Sequence, residues 1–172
     1  MGKRSSFEKI PKDAYQTIDP RAVKALLPFL KDHTRFAEQC VGEGWLSKQL
    51  VEAGHIEGYS SDIKLGKDAL DLTSQDLKDA EMIITNPPWS INLLHPMIQH
   101  FSSLKSTWLL FYSDWAYTKQ SATFMKDLCT DMVAVGRLTW IPDTKVSGKD
   151  NCSWYRFSTH KVSTTRFYGR TA

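Results

Sequence analysis

Short apolar runs of strand length alternate with amphipathic runs of helical period along most of the chain, and this alternation is what most limits the folds open to it. Strands separated by helices pair in parallel through crossover connections, which puts helices on both faces of one sheet. Asp19-Pro20 has the form of an N-cap followed by proline at the first helical position. Val23, Leu26, Leu27 and Leu30 then form the apolar stripe of a helix over 20–31, with Pro28 as the point where it would bend. Next, TRFAEQC reads as a strand, GEG as a tight loop and WLSKQLVEAG as a helix closed by Gly54. IEGYSSDI reads as a second strand ending at Asp62, ALDL as a short third carrying Asp71, and EMIIT as a buried fourth. INLLHPMIQHF places Ile91, Leu94, Ile98 and Phe101 on one helical face, with Pro96 kinking or delaying the helix. STWLLFYS is a fifth strand and TKQSATFMKDLC a helix. MVAVGRLTWI and CSWYRFS, joined by the polar loop PDTKVSGKDN, read as an antiparallel pair closing an otherwise parallel sheet.

At 172 residues and 41% hydrophobic content the chain suits one compact domain over 15–172, with 1–14 as a flexible tail and no separate target-recognition domain. The start matches the loose M-G-x-x-x-[ST] acylation pattern through Gly2 and Ser6, but nothing else in the sequence points to a membrane. Cys40, Cys129 and Cys152 are odd in number and widely spaced, which supports neither a disulfide framework nor a metal site and fits a reducing cytoplasm. The formal charge of +3 is too mild to indicate a nucleic-acid partner. Its distribution is uneven, however: after Gly136 the chain carries seven Lys or Arg against two Asp. Such a tail serves equally as a solvated basic face or as a phosphate-contacting one.

In open α/β sheets ligands sit beyond the carboxyl ends of the strands, so the side chains there are the candidates. Cys40-Val41-Gly42-Glu43-Gly44 sets two glycines between a strand and a helix, where a ligand can approach the backbone closely. Taken singly, the loop is equally a plain tight turn, and Ser47 stands where a dinucleotide fingerprint needs its third glycine. Asp62, eighteen residues beyond Gly44, is where a ribose-binding carboxylate belongs, or it forms a turn. Asp71 could accept from an adenine amino group or cap a helix.

Asn86-Pro87-Pro88-Trp89 is more specific, because such a tetrapeptide arises by chance in on the order of one chain in a thousand of this length. Two prolines stop a strand, donate no amide and hold Asn86 extended. The same rigidity suits chemistry. An amine conjugated to a ring is a poor nucleophile, since its lone pair is delocalised. If the Asn86 side-chain oxygen and the Pro87 carbonyl accept its hydrogens, the nitrogen becomes more tetrahedral and its lone pair more available. Trp89 would stack on the ring, contributing about 1–3 kcal/mol against a base-extraction cost of a few kcal/mol.

FAEQCVGEG, YSSDI, ALDL and NPPW, in that order, resemble the S-adenosylmethionine-dependent DNA N6-adenine methyltransferases, particularly short phage-encoded members, over about Tyr15 to Phe157. The resemblance implies a Rossmann-like methyltransferase fold: a mostly parallel central sheet with an antiparallel C-terminal strand and helices on both faces. It implies S-adenosyl-L-methionine as cofactor, single- or double-stranded DNA as partner, no metal, and the host cytoplasm if the protein is phage-encoded. Glu38, Cys40, Gly42 and Gly44 would surround the methionine moiety, Asp62 would hold the ribose, and Asp71 and Leu72 the adenine, with Asn86 beside the cofactor. The family segment Tyr-x-Thr-Pro is matched at Tyr15 and Thr17, with Ile18 in place of proline. The family also usually has proline where this chain has Gln39, and Glu43 enters the loop where it would repel a cofactor carboxylate. For DNA, Lys145, Lys149 and Arg156 are the expected phosphate contacts, and Trp115 a residue of the substrate cleft. Trp45, Trp108 and Trp140 fit the core. N-P-P-aromatic motifs also serve methyltransferases of RNA adenine or protein glutamine, and the fold is compatible with a binding module that transfers nothing.

Overall fold

The computed structural model describes residues 15–160 and 164–170, so the proposed N-terminal tail and its acylation pattern lie outside the described residues. Among the described residues seven strands form one sheet: β1 Arg35–Glu38, β2 Ile56–Ser60, β3 Met82–Thr85, β4 Thr107–Tyr112, β5 Cys129–Gly136, β6 Cys152–Phe157 and β7 Arg166–Tyr168. Their order is β2-β1-β3-β4-β6-β5-β7. Every pairing is parallel except the two made by β6, which runs antiparallel between β4 and β5. The sheet is thus parallel apart from one late strand.

Period-2 burial assigns the two faces. Trp108, Leu110, Val133, Val135 and Trp154 pack toward helices α1 (Pro20–Leu26) and α2 (Trp45–Glu52). Leu109, Phe111, Met132, Tyr155 and Phe157 pack toward α3 (Ile91–Leu104) and α4 (Ala122–Asp127). Phe111 and Tyr155 stack across β4 and β6 with centroids 4.2 Å apart and planes 11° from parallel. The Trp154 indole donates to the Ala22 carbonyl (2.8 Å), fastening α1 to the sheet.

Local chemistry explains where the structure departs from the sequence reading. ALDL is a 3₁₀ turn, Ala69–Asp71, because the Asp68 carboxylate accepts the Leu70 N–H (2.9 Å) and caps it, leaving no strand. The first helix ends at Leu26 and tightens into a 3₁₀ turn, Leu27–Phe29, around Pro28. Pro96 neither delays nor breaks α3. The proline ring deprives the Asn92 carbonyl of its helical donor, and Asn92 is exposed, so water can take that donor's place. Cys129, read at the end of a helix, opens β5 instead. The three-residue edge strand β7 is too short to display alternation; the Arg166 guanidinium holds it to Asp131 on β5 (2.8 Å).

Candidate active site

From β1 the sheet grows one way to β2 and the other way to β3, so the loops leaving β1 and β3 part at their carboxyl ends. A cavity of about 390 Å³ occupies that gap, within the range of small-molecule sites. Its walls are the Tyr15–Thr17 segment, Glu38–Gly42 after β1, Asp62–Lys64 after β2, Asp68 and Ala69, Asn86 and Pro88 after β3, and Leu93 and Met97 of α3.

Gly42 and Gly44 adopt φ of +54° and +77°, the left-handed region where glycine is least strained. A Cβ on Gly42 would collide with the side-chain amide of Gln16, whose Oε1 accepts the Glu43 N–H (3.1 Å). Asp62 ties this loop to the next: one carboxylate oxygen accepts the Gly42 N–H (2.9 Å), the other the Lys64 N–H (2.9 Å). Glu38 is only 2% exposed, and one of its oxygens accepts both the N–H (3.0 Å) and the O–H (2.6 Å) of Ser47 in the first turn of α2. Desolvation pushes the Glu38 carboxyl up to about 8, against the pull of those two bonds and with some help from the charges of Glu57 and Asp62. Burial likewise pushes the Cys40 thiol up to about 12, so this cavity-wall cysteine is protonated and no nucleophile at neutral pH.

At the end of β3 the Asn86 amide is bonded at both ends. Its Nδ2 donates to Thr17 Oγ1 (3.1 Å) and weakly to the Tyr15 carbonyl (3.5 Å); its Oδ1 accepts the Trp89 indole N–H (3.0 Å). The same indole N–H reaches the Leu110 carbonyl (3.2 Å). The Trp89 ring is half-buried, edge-on to Trp140 (centroids 5.5 Å, planes 84°) and tilted against Tyr112 (5.9 Å). Trp140 belongs to the 137–151 loop, which Thr139 N–H fastens to the Asp19 carboxylate (2.9 Å) at the N-terminus of α1. That loop leaves β5 at the end of the sheet that carries Asn86, since Gly136 and Tyr112 both pair with Cys152.

Among the expected cofactor residues, Tyr15, Thr17, Glu38, Cys40, Gly42, Asp62 and Asn86 meet on this one cavity. Gly44, Asp71 and Leu72 do not. Gly44 is the N-cap of α2, Asp71 is exposed at the end of its turn, and Leu72 is a core residue whose carbonyl bonds His100 (2.9 Å). Asp68 and Ala69 occupy the wall where Asp71 and Leu72 were expected, a shift that follows from ALDL being a capped turn. Glu43 is not among the wall residues of the cavity, and its carboxylate lies 3.8 Å from the Lys64 ammonium, which offsets the repulsion expected from it.

Two expected DNA contacts are misplaced. Trp115 is 0% exposed in the core beneath α3, its indole donating to His95 Nε2 (3.0 Å), and cannot line a cleft. Arg156 pairs with Trp108 near the start of β4, at the opposite end of the sheet, where its Nε donates to Ser106 (3.0 Å) and its guanidinium faces Asp131 (3.8 Å). Lys145 and Lys149 are exposed on the 137–151 loop. Gln16, Gln39 and Asp68 are polar wall residues that sequence reasoning did not assign. Asp68 had a signal, an Asp followed two residues later by an apolar turn, but the competing strand pattern hid it. Among the described residues no group of three or more His, Cys, Asp or Glu could hold a metal, and no helix is long and apolar enough to cross a membrane.

No protein-family model matches the chain, and no curated protein sequence does. Solved structures do. A Pyrococcus horikoshii protein assigned as an RNA methyltransferase superposes with a TM-score of 0.50 at 15% identity, over 81% of this chain and 80% of that one. The Thermoplasma acidophilum protein 1320 gives 0.51 at 12%, over 81% and 83%. The type IIG restriction endonuclease BpuSI gives 0.55 at 11%, over 86% of this chain but only 26% of that larger one. Sheet order, crossover pattern and these neighbours agree that the chain has the Rossmann-like methyltransferase fold.

Proposed function

We propose that this protein transfers a methyl group from S-adenosylmethionine to the N6 amino group of adenine in DNA. The observation that carries the reading is the Asn86 amide, held at the end of β3 on the wall of a cavity at the switch point of a methyltransferase fold. The cavity's donor set fits the cofactor. Asp62 and Asp68 offer carboxylates to ribose and adenine, Ile63, Ala69 and Met97 offer apolar surface to a purine, and the glycine loop permits close backbone approach. Glu38, Tyr15 and Thr17 would face the methionine moiety.

When bound, the cofactor supplies an electrophilic methyl group. Asn86 Oδ1 retains a lone pair beyond the one used by Trp89, and with the Pro87 carbonyl it can accept both hydrogens of an aromatic amine. The prolines fix both acceptors before the substrate arrives, so little reorganisation accompanies reaction. The amine loses a proton to solvent once the new bond has formed, and no strong base is required. Trp89 and Tyr112 supply aromatic surface beside the motif for the extruded base. Lys145 and Lys149, exposed on the loop at this end of the sheet, contact phosphates and make the 137–151 loop the candidate for sequence recognition.

Incubation with methyl-labelled cofactor and, separately, DNA, RNA and cell-extract protein tests the proposal. Label in DNA as N6-methyladenine is expected. Label confined to RNA or protein, or no transfer with any substrate, refutes it.

A further inference from the structure

Resting on that reading, we propose that Thr17 is a positioning residue that holds the Asn86 amide in place for the substrate amine, while the donor-only Trp89 N–H and the acceptor-only Tyr15 carbonyl decide which end is the oxygen. The amide is nearly symmetric in shape but opposite in chemistry at its two ends, and only the oxygen end can accept from an amine. Its neighbours decide between them. The Trp89 indole nitrogen can only donate, and it lies 3.0 Å from one end of the amide; the Tyr15 carbonyl can only accept, and it lies 3.5 Å from the other. Thr17 Oγ1, at 3.1 Å, is the short contact on the nitrogen side, 69 residues away in sequence.

The hydroxyl is itself held. Thr17 is 4% exposed, and its carbonyl accepts from Gln49 Nε2 (2.7 Å) on α2, the helix that follows the glycine loop. Ile18 N–H closes the segment onto the Gln16 carbonyl (2.9 Å). The Tyr15–Ile18 segment is therefore fixed to α2 on one side and to the end of β3 on the other. Without the Thr17 acceptor, the amide keeps only a long bond on its nitrogen side and can rotate, carrying Oδ1 away from the amine's path. This assigns Thr17 a task different from lining the methionine pocket, and a different kinetic signature.

Thr17→Val keeps the shape and removes the acceptor, whereas Thr17→Ser keeps it. The expected result is a kcat for DNA methylation lowered by about tenfold to a hundredfold in Thr17→Val, with KM for cofactor and for DNA changed less than about threefold, and kcat restored to within about twofold in Thr17→Ser. Independently of activity, the Asn86 side-chain NH2 pair in a ¹⁵N spectrum, assigned by its loss in Asn86→Ala, shifts in Thr17→Val and not in Thr17→Ser. Should Thr17→Val fail to fold, Trp89→Phe gives the second arm: it keeps a ring, loses the N–H, and is expected to lower kcat and move the same resonances. An unchanged kcat with a raised cofactor KM, or resonances that stay in place, overturns the proposal. A wild-type protein that methylates no adenine instead sinks the proposed function, while the spectrum still tests the clamp.

Discussion

Replacing Glu38 by Gln should remove the loss of stability that the buried carboxyl imposes on the wild type as pH rises. The carboxyl is 2% exposed and desolvation pushes it up to about 8 from an ordinary 4.5. Between those two values the folded protein keeps a proton that the unfolded chain has lost, so the native state binds more protons and stability falls as pH rises. The slope approaches about 1.4 kcal/mol per pH unit, and over the whole window the loss is about 5 kcal/mol, comparable with the total stability of a small domain. Glutamine cannot ionise, and its Oε1 can still accept the Ser47 N–H and O–H, so the cap on α2 survives. Below about pH 4 the two proteins should be about equally stable; at pH 8 the variant should be the more stable by several kcal/mol. His55 and His95, both lowered by desolvation, add stability that is lost as pH falls, but they titrate in both proteins and cancel in the difference. Urea unfolding at intervals from pH 4 to pH 9 gives that difference. Parallel curves for wild type and variant would refute the reasoning, because they would mean that Glu38 ionises as freely folded as unfolded.

Two further outcomes follow from the geometry. Gly42→Ala forces a side chain into φ +54° and displaces Gln16, so it should cost about 1–2 kcal/mol in unfolding experiments and weaken calorimetric binding of S-adenosylhomocysteine. Replacing Lys145 and Lys149 together by Ala should weaken DNA binding and flatten the dependence of log K on log salt by about 2, measured by anisotropy; an unchanged slope would mean that the loop touches no phosphate.

Chemistry that is local in sequence was readable without the structure. Asp19-Pro20 starts α1, Gly54 closes α2, and Asn86-Pro87-Pro88 ends β3, because capping and proline geometry depend on immediate neighbours. The antiparallel pair β5 and β6 was readable from alternation across a polar loop. What failed depended on partners distant in sequence. Trp115 follows a strand, as cleft residues do, but His95 on α3 gives its indole an acceptor inside the core, and no local pattern encodes that. Arg156 looked free in a basic tail until Asp131 and Ser106 appeared beside it. Asp71 lost its expected place on the cavity to Asp68 because one side-chain bond turned a strand-like run into a 3₁₀ turn. The two-ended bonding of Asn86 joins Thr17, Asn86 and Trp89, of which only the last two are close in sequence.

The central claim is that the Asn86 amide activates an adenine amine in DNA. Its most direct test is the amount of N6-methyladenine formed in DNA by the purified protein and by Asn86→Ala, both shown to be folded and supplied with S-adenosylmethionine, read by mass spectrometry of the hydrolysed DNA. N6-methyladenine is expected with the wild type, and an initial rate at least about a hundredfold lower with the variant. Methylation by Asn86→Ala at an undiminished rate would contradict it.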